Sequence, residues 1–427
     1  MSSRILTSET SLERLPIPSD WKEPSESRID EHSSRSPAPL SCESALAQAR
    51  PVVRRDGKTR SIGRIDVLEN PALALKRWET LETLCPGAFY QSRAFALPWL
   101  AAYAKSFSIA PMLVIAHNSA GEPVAFLPFG VRRRGIFSVA EFLGGKDSNA
   151  NMGLFRPGVA FEPDDLISLL KASAAKSRFK PDLFLLTNQP SVWEGAPNPL
   201  DIFPHQGSAS YLHGGALGAD PQAFMKERLS KDTAKKLRAK RRKLEATGDL
   251  THVTAADPAM RRKIIVAFFE QKLARFREKH IGSIFETPQA REFLETAHAL
   301  EWHALMLNER ILATYGGAAH RGRLQLMVNS FDADPEIARS SPGDLLLQSI
   351  LEQKCAQGLA SFDLGIGEAR YKESWCNESV AMFDSILPAT RLGRFYAAVE
   401  SSRLGAKRWV KQSDWAMPFA MRLLGRK

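Results

Sequence analysis

Ser361 to Trp375, SFDLGIGEARYKESW, is the stretch of this chain whose residue types and spacing best fit chemistry. Four residues of strand character, Ser361 to Leu364, run into the turn Gly365-Ile366-Gly367, and Glu368, Arg370, Tyr371, Lys372, Glu373 and Trp375 follow at once. The carboxylate of Asp363 stands near the strand end, two glycines let backbone come close to a ligand, and a Tyr-Lys pair lies just beyond. A site at the carboxyl edge of a sheet needs such a set. The alternative for the same residues is a strand-turn-helix connection whose charges are merely solvated.

The elements that must position this stretch follow from the rest of the chain. With 427 residues, 44% hydrophobic and 25% charged, the chain is long enough for two domains with full cores. Residues 1–60, rich in serine and proline and poor in large apolar side chains, read as a disordered tail. From Ser61 the pattern changes. RIDVL is a short strand, Pro71 to Leu84 and Ser92 to Phe107 read as helices, and MLVIAH and VAFLPFGV form a hairpin. The strand VAEFLGG then leads into the polar, glycine-bearing loop Gly144 to Gly153, and Glu162 to Lys176 and DLFLLTN read as a helix and a buried strand.

Asp220-Pro221 opens a helix that runs, very basic, to Gly248. Two further helices begin at Asp257-Pro258 and Thr287-Pro288, and WHALML, ILATYGGAAH and LQLMVNSF make an antiparallel meander in which Gly316-Gly317 signals a bulge. Ser341-Pro342-Gly343 opens a helix to Gln357, SFDL is the next strand and VAMFDSIL the last. The two halves repeat one order of elements, so the chain reads as duplicated, with domains over 61–215 and 216–395 and a basic amphipathic arm over 396–427. The fold class is α/β in the mixed sense, each domain a mostly antiparallel sheet flanked by helices.

The net charge of +11 admits nucleic acid, anionic lipid or an anionic small molecule as partner. Much of it lies in Lys226 to Lys243 and in the last thirty-odd residues, not interleaved with aromatics on one face, and specific DNA binding is not expected. The arm, with Arg403, Lys407, Arg408, Lys411, Arg422 and Arg426 around Trp409, Trp415, Phe419 and Leu424, suits an anionic membrane surface or packs back over the first domain. Four scattered cysteines show no CxxC, and His298 and His303 are five apart, so neither a metal nor a disulfide is indicated. No apolar run reaches membrane-spanning length and the amino terminus lacks a signal-peptide pattern, which places the chain in the cytoplasm.

Three stretches carry a resemblance: LSKDTAKKLRAKRRKLEATGDL, then SPGDLLLQSILEQKCAQGLASFDLGIGEARYKESW, and in the first half MLVIAHNSAGEPVAFLPFGV with LGGKDSNANMGL. They resemble the GNAT acyltransferase fold and, more narrowly, the CelD/BcsL-type acetyltransferases of cellulose and exopolysaccharide synthesis, themselves similar to the FemAB-type aminoacyltransferases. The resemblance implies tandem GNAT-like domains and transfer from acetyl-CoA or another acyl-CoA to an amino or hydroxyl group of a small-molecule or glycan acceptor, without a metal.

It places the donor's pyrophosphate at Arg339 through Leu345. There a helix start, with Ser341, Gly343 and Asp344, offers free amides and Arg339 adds charge. The loop departs from the usual Arg/Gln-x-x-Gly-x-Gly/Ala at two of three fixed positions, and Ser341 alternatively just caps the helix. By the same resemblance Asp363 or Glu368 is the base, Tyr371 the acid and Lys372 an electrostatic anchor. An ion pair of Asp363 with Arg370 or Lys372 is the structural alternative. An aminoacyl-tRNA donor and a non-catalytic component of polysaccharide synthesis are the other readings.

Overall fold

Alternating apolar residues on either side of the Asn118–Gly121 turn fold as the expected hairpin, and the same logic generates most of both sheets. The computed structural model describes residues 61–278 and 282–412; the tail over 1–60 and the arm beyond 412 lie outside them. The strands are β1 (Arg64–Leu68), β2 (Ala110–His117), β3 (Pro123–Arg134), β4 (Phe137–Phe142), β5 (Leu154–Phe155), β6 (Leu183–Pro190), β7 (Val192–Trp193), β8 (Ala196–Pro197) and β9 (His205–Gly207). They continue with β10 (Leu212–Ala216), β11 (Leu250–Thr254), β12 (Glu301–Leu307), β13 (Arg310–His320), β14 (Arg323–Phe331), β15 (Ser361–Ile366), β16 (Glu378–Val380) and β17 (Met382–Pro388). The α-helices are α1 (Leu75–Leu84), α2 (Arg93–Tyr103), α3 (Pro163–Lys176), α4 (Pro221–Arg228), α5 (Lys231–Glu245) and α6 (Pro258–Glu278), then α7 (Pro288–Thr296), α8 (Pro335–Arg339), α9 (Pro342–Ala356), α10 (Arg370–Trp375) and α11 (Arg391–Gln412).

The duplication is visible in the topology. One sheet runs β1-β2-β3-β4-β6-β17-β9 and the other β11-β12-β13-β14-β15-β10-β16. In each, an antiparallel meander is followed by a helix, α3 or α9, and then by a strand parallel to the meander's last: β4 with β6, β14 with β15.

The halves also exchange strands. β10 follows the first half yet pairs with β15 in the second sheet, and β17 follows the second half yet pairs with β6 in the first. The expected boundary at 215/216 therefore falls inside a strand of the second sheet, and the strand expected as the last of the second domain lies in the first sheet, between β6 and β9. Alternation reveals that a segment is a strand but not which open edge it joins, so the exchange leaves no mark on local pattern. One apolar cluster spans both halves, with Trp78, Phe95 and Phe126 from the first and Phe268, Phe293 and Trp302 from the second. The rings of Phe95 and Phe293 meet edge to face at 5.5 Å.

A second difference is the basic helix, which breaks in two. Leu229 turns inward to the core, and Ser230 leaves helical geometry and accepts a hydrogen bond from the Thr233 amide, capping α5. The arm differs less. Glu400 and Leu404 of α11 are buried against the first sheet, where Tyr396 stacks on Phe137 at 4.4 Å.

Candidate functional site

β14 and β15 pair at only three positions, Arg323 with Ser361, Leu324 with Phe362 and Gln325 with Asp363, and then part. The parting has a local cause. Between β13 and β14 the register jumps from Gly316 opposite Val328 to Gly317 opposite Leu326, so Met327 has no partner and β14 bends. A Cβ on Gly317 would lie 2.4 Å from the Gln325 carbonyl oxygen, so the bulge needs glycine there. The gap opens into a cleft of about 790 Å³ lined by Leu326 to Phe331 on one side and Leu364 to Lys372 on the other, with Ser341 to Asp344 at the start of α9.

The turn after β15 is held from below. Gly365 and Gly367 take φ of +75° and +93°. The buried Lys372 ammonium donates to the carbonyls of Gly365 at 2.9 Å, Ile366 at 3.1 Å and Gly367 at 2.9 Å, which uses all three of its donors. Burial lowers its pKa to about 8. Lys372 thus shapes the turn and carries no free donor into the cleft.

Beside it, Asn149 of the first half accepts from the Ile366 amide at 3.4 Å and donates to the Tyr90 hydroxyl at 2.7 Å. Asn149 is the residue of the Gly144–Gly153 loop that lines this cleft.

Tyr371 lines the cleft, its hydroxyl 3.4 Å from the Asn329 side-chain amide, and burial raises its pKa to about 12. Glu368 lines it too, with an exposed carboxylate 3.1 Å from His213 Nε2, and Nδ1 of that ring lies 3.1 Å from the Ser379 hydroxyl.

Asp363 is elsewhere. Its carboxylate is buried away from the cleft, 3.2 Å from Arg323 Nε, and accepts from the Gly365 amide. The ion pair expected as its alternative role exists, with Arg323 in place of Arg370 or Lys372. Burial lifts its pKa to about 6 against the opposing pull of Arg323. Asp363 is a positioning residue, since it fixes strand and turn without touching the cleft.

At the other end the expected anion site is only partly assembled. Pro342 has no N–H, and the amides of Asp344 and Leu345 both donate to the Ser341 carbonyl, which leaves the Gly343 amide. A Cβ at Gly343 would have one neighbour, a Phe331 ring carbon at 3.9 Å, so the approach is open. Arg339 is solvent-exposed and paired with Glu336, and Leu345 is buried in the core, so neither reaches the cleft. Two cations that sequence reasoning passed over line it instead. Lys272 donates to the Asn329 carbonyl at 2.9 Å with its pKa lowered to about 8 by burial, and Arg275 stacks 4.4 Å from the centre of the Phe331 ring.

Asp344 accepts from Trp375 Nε1 at 3.4 Å, and burial raises its pKa. Lys240 of α5 reaches the Ser341 hydroxyl at 2.6 Å.

The family described as acetyltransferase (GNAT) domain matches residues 231–373, the segment that builds the cleft. Over residues 231–373 the chain is thus similar to a GNAT acetyltransferase domain. FemX is similar in fold at 9% identity, with 78% of this chain and 100% of that chain covered and a TM-score of 0.54. L-PGS from Bacillus licheniformis gives 13% identity, 79% and 98% coverage and a TM-score of 0.47. A conserved protein of unknown function from Bacteroides thetaiotaomicron gives 12%, 76% and 100%, and 0.49. No curated protein matches the chain. At these identities the likeness to FemX is one of fold, and it covers both halves. The matched segment spans the splayed strands, α9 and most of α10, while Asn149 lines the cleft from outside it and His213, also outside it, contacts Glu368.

Proposed function

We propose that the chain transfers an acyl group from acyl-CoA, acetyl-CoA being the simplest, to an amino or hydroxyl group such as a glycan precursor carries. The observation that supports this reading is the parting of β14 and β15, which gathers Glu368, Tyr371 and the start of α9 around one cleft. The acceptor nitrogen or oxygen attacks the thioester carbonyl while Glu368, held by His213, takes its proton. As the carbon–sulfur bond breaks, the Tyr371 hydroxyl donates a hydrogen bond to the departing thiolate. With a pKa near 12 it stays neutral and able to donate across the working range. Glu368, being exposed, returns its proton to solvent, and the thiolate is protonated there.

Glu368→Gln keeps the shape and removes the proton acceptor. Its thiol release from acetyl-CoA in the presence of acceptor is expected to fall by about two to four orders of magnitude in kcat with little change in KM. Unchanged kcat in that assay contradicts the role of Glu368. A second donor, aminoacyl-tRNA, is favoured by α5. Its Lys231, Lys235, Lys236, Arg238, Arg242 and Lys243 stay exposed, and Lys240 stands at the start of α9.

A further inference from the structure

The two faces of α11 differ in a way that packing on the first sheet does not explain. Its inner face supplies Glu400 and Leu404 to that sheet. Its outer face exposes Leu392 (42%), Phe395 (66%) and Val399 (49%), which at 100° per residue fall within one arc of the helix, the Phe395 ring centre standing 6.5 Å from that of Phe137. The helix carries six basic residues, Arg391, Arg394, Arg403, Lys407, Arg408 and Lys411, and one acid, Glu400. That acid is buried and already engaged by Arg134 and Arg403, so it opposes nothing at the surface. Arg394 lies to one side of the apolar arc and Arg403 and Lys407 to the other, whereas the Arg408 guanidinium packs beside Gly207 of the first sheet.

Among the described residues no helix is long and apolar enough to cross a membrane. An apolar stripe bordered on both sides by cations is the pattern of a helix lying in the interface plane, where the stripe enters the acyl boundary and the cations meet lipid phosphates. Arg403 and Lys407 also line a second cleft of about 730 Å³, at the parting of β4 from β6, where Lys411 on the inner face donates to the Ser210 hydroxyl at 2.8 Å.

We propose that the outer face of α11 docks the protein on an anionic lipid bilayer. The docking is independent of which acyl donor the GNAT domain uses.

The test is co-sedimentation of the full chain with vesicles of phosphatidylcholine containing about 30% phosphatidylglycerol, against phosphatidylcholine alone. The chain is expected to bind the anionic vesicles, and to lose about tenfold or more in partitioning when sodium chloride rises from about 0.1 to 0.5 M. A triple variant Leu392→Ser, Phe395→Ser, Val399→Ser is expected to lose about tenfold or more, with an unchanged melting temperature because these side chains are exposed. Equal binding to neutral vesicles, no binding to either, or full binding by the triple variant overturns the proposal. So does concentration-dependent self-association of the parent that the triple variant abolishes, since a second copy would then cover the face.

Discussion

Tyr371→Phe is expected to lower kcat for thiol release from acetyl-CoA by roughly two orders of magnitude while the protein melts as the parent does. The substitution keeps the ring that fills the cleft wall and removes only the hydroxyl, whose one partner among the described residues is Asn329 at 3.4 Å. The interaction with the leaving sulfur is made as negative charge develops there, so kcat and kcat/KM should fall together. A donor whose leaving group carries little charge should show a much smaller loss. An equal loss with both kinds of donor means that Tyr371 packs against the substrate and does not meet the sulfur. A steady-state comparison on two donors decides between these.

Arg323→Met is expected to cost about 3–5 kcal/mol of stability at pH 8, because it leaves the Asp363 carboxylate buried without its counter-charge. The pH dependence gives the sign. The Asp363 pKa is already raised to about 6 with Arg323 present, and Arg323 acts to lower it, so the variant holds it higher still. A carboxyl whose folded-state pKa is raised stabilises the fold when it is protonated, and that contribution is lost as pH rises through the folded-state value. The gap in melting temperature between variant and parent should therefore narrow from pH 8 to pH 5. A gap that is constant or widens toward acid pH contradicts the pairing. Trp193, whose ring lies 4.9 Å from the Arg323 guanidinium, loses that contact at every pH and adds a constant offset.

Most elements were legible in the sequence because their edges are punctuated. Pro221, Pro258, Pro288 and Pro342 each open a helix where the residue type requires, and Gly316-Gly317 marked the bulge that parts β14 from β15. The two-domain boundary was not legible, since β10 and β17 look alike as strands and differ only in the open edge each joins.

The site was half visible. Glu368, Tyr371 and Gly343, singled out through the family resemblance, line the cleft, whereas Asp363 is buried below it. A strand residue's period of two tells which face it takes only when the register is known, and the register of β15 depends on Arg323, far away in sequence. Lys272 carried no signal, because one lysine on an amphipathic helix looks like any solvated charge, and Asn329 looked like any polar strand residue. Asn149 belonged to a loop that did stand out as polar and glycine-bearing. Its contact with Ile366 joins residues 217 apart, which no local pattern encodes.

Calorimetric titration of the parent and of Gly343→Glu with acetyl-CoA tests the cleft most directly. The variant is expected to fold as the parent does, because a Cβ there meets nothing closer than 3.9 Å, and it puts a carboxylate where the donor's phosphates are expected. The account predicts saturable binding by the parent and a loss of about tenfold or more in the variant. Equal binding by both proteins, or no binding of acetyl-CoA by the parent together with tight binding of an aminoacyl-tRNA, would contradict it.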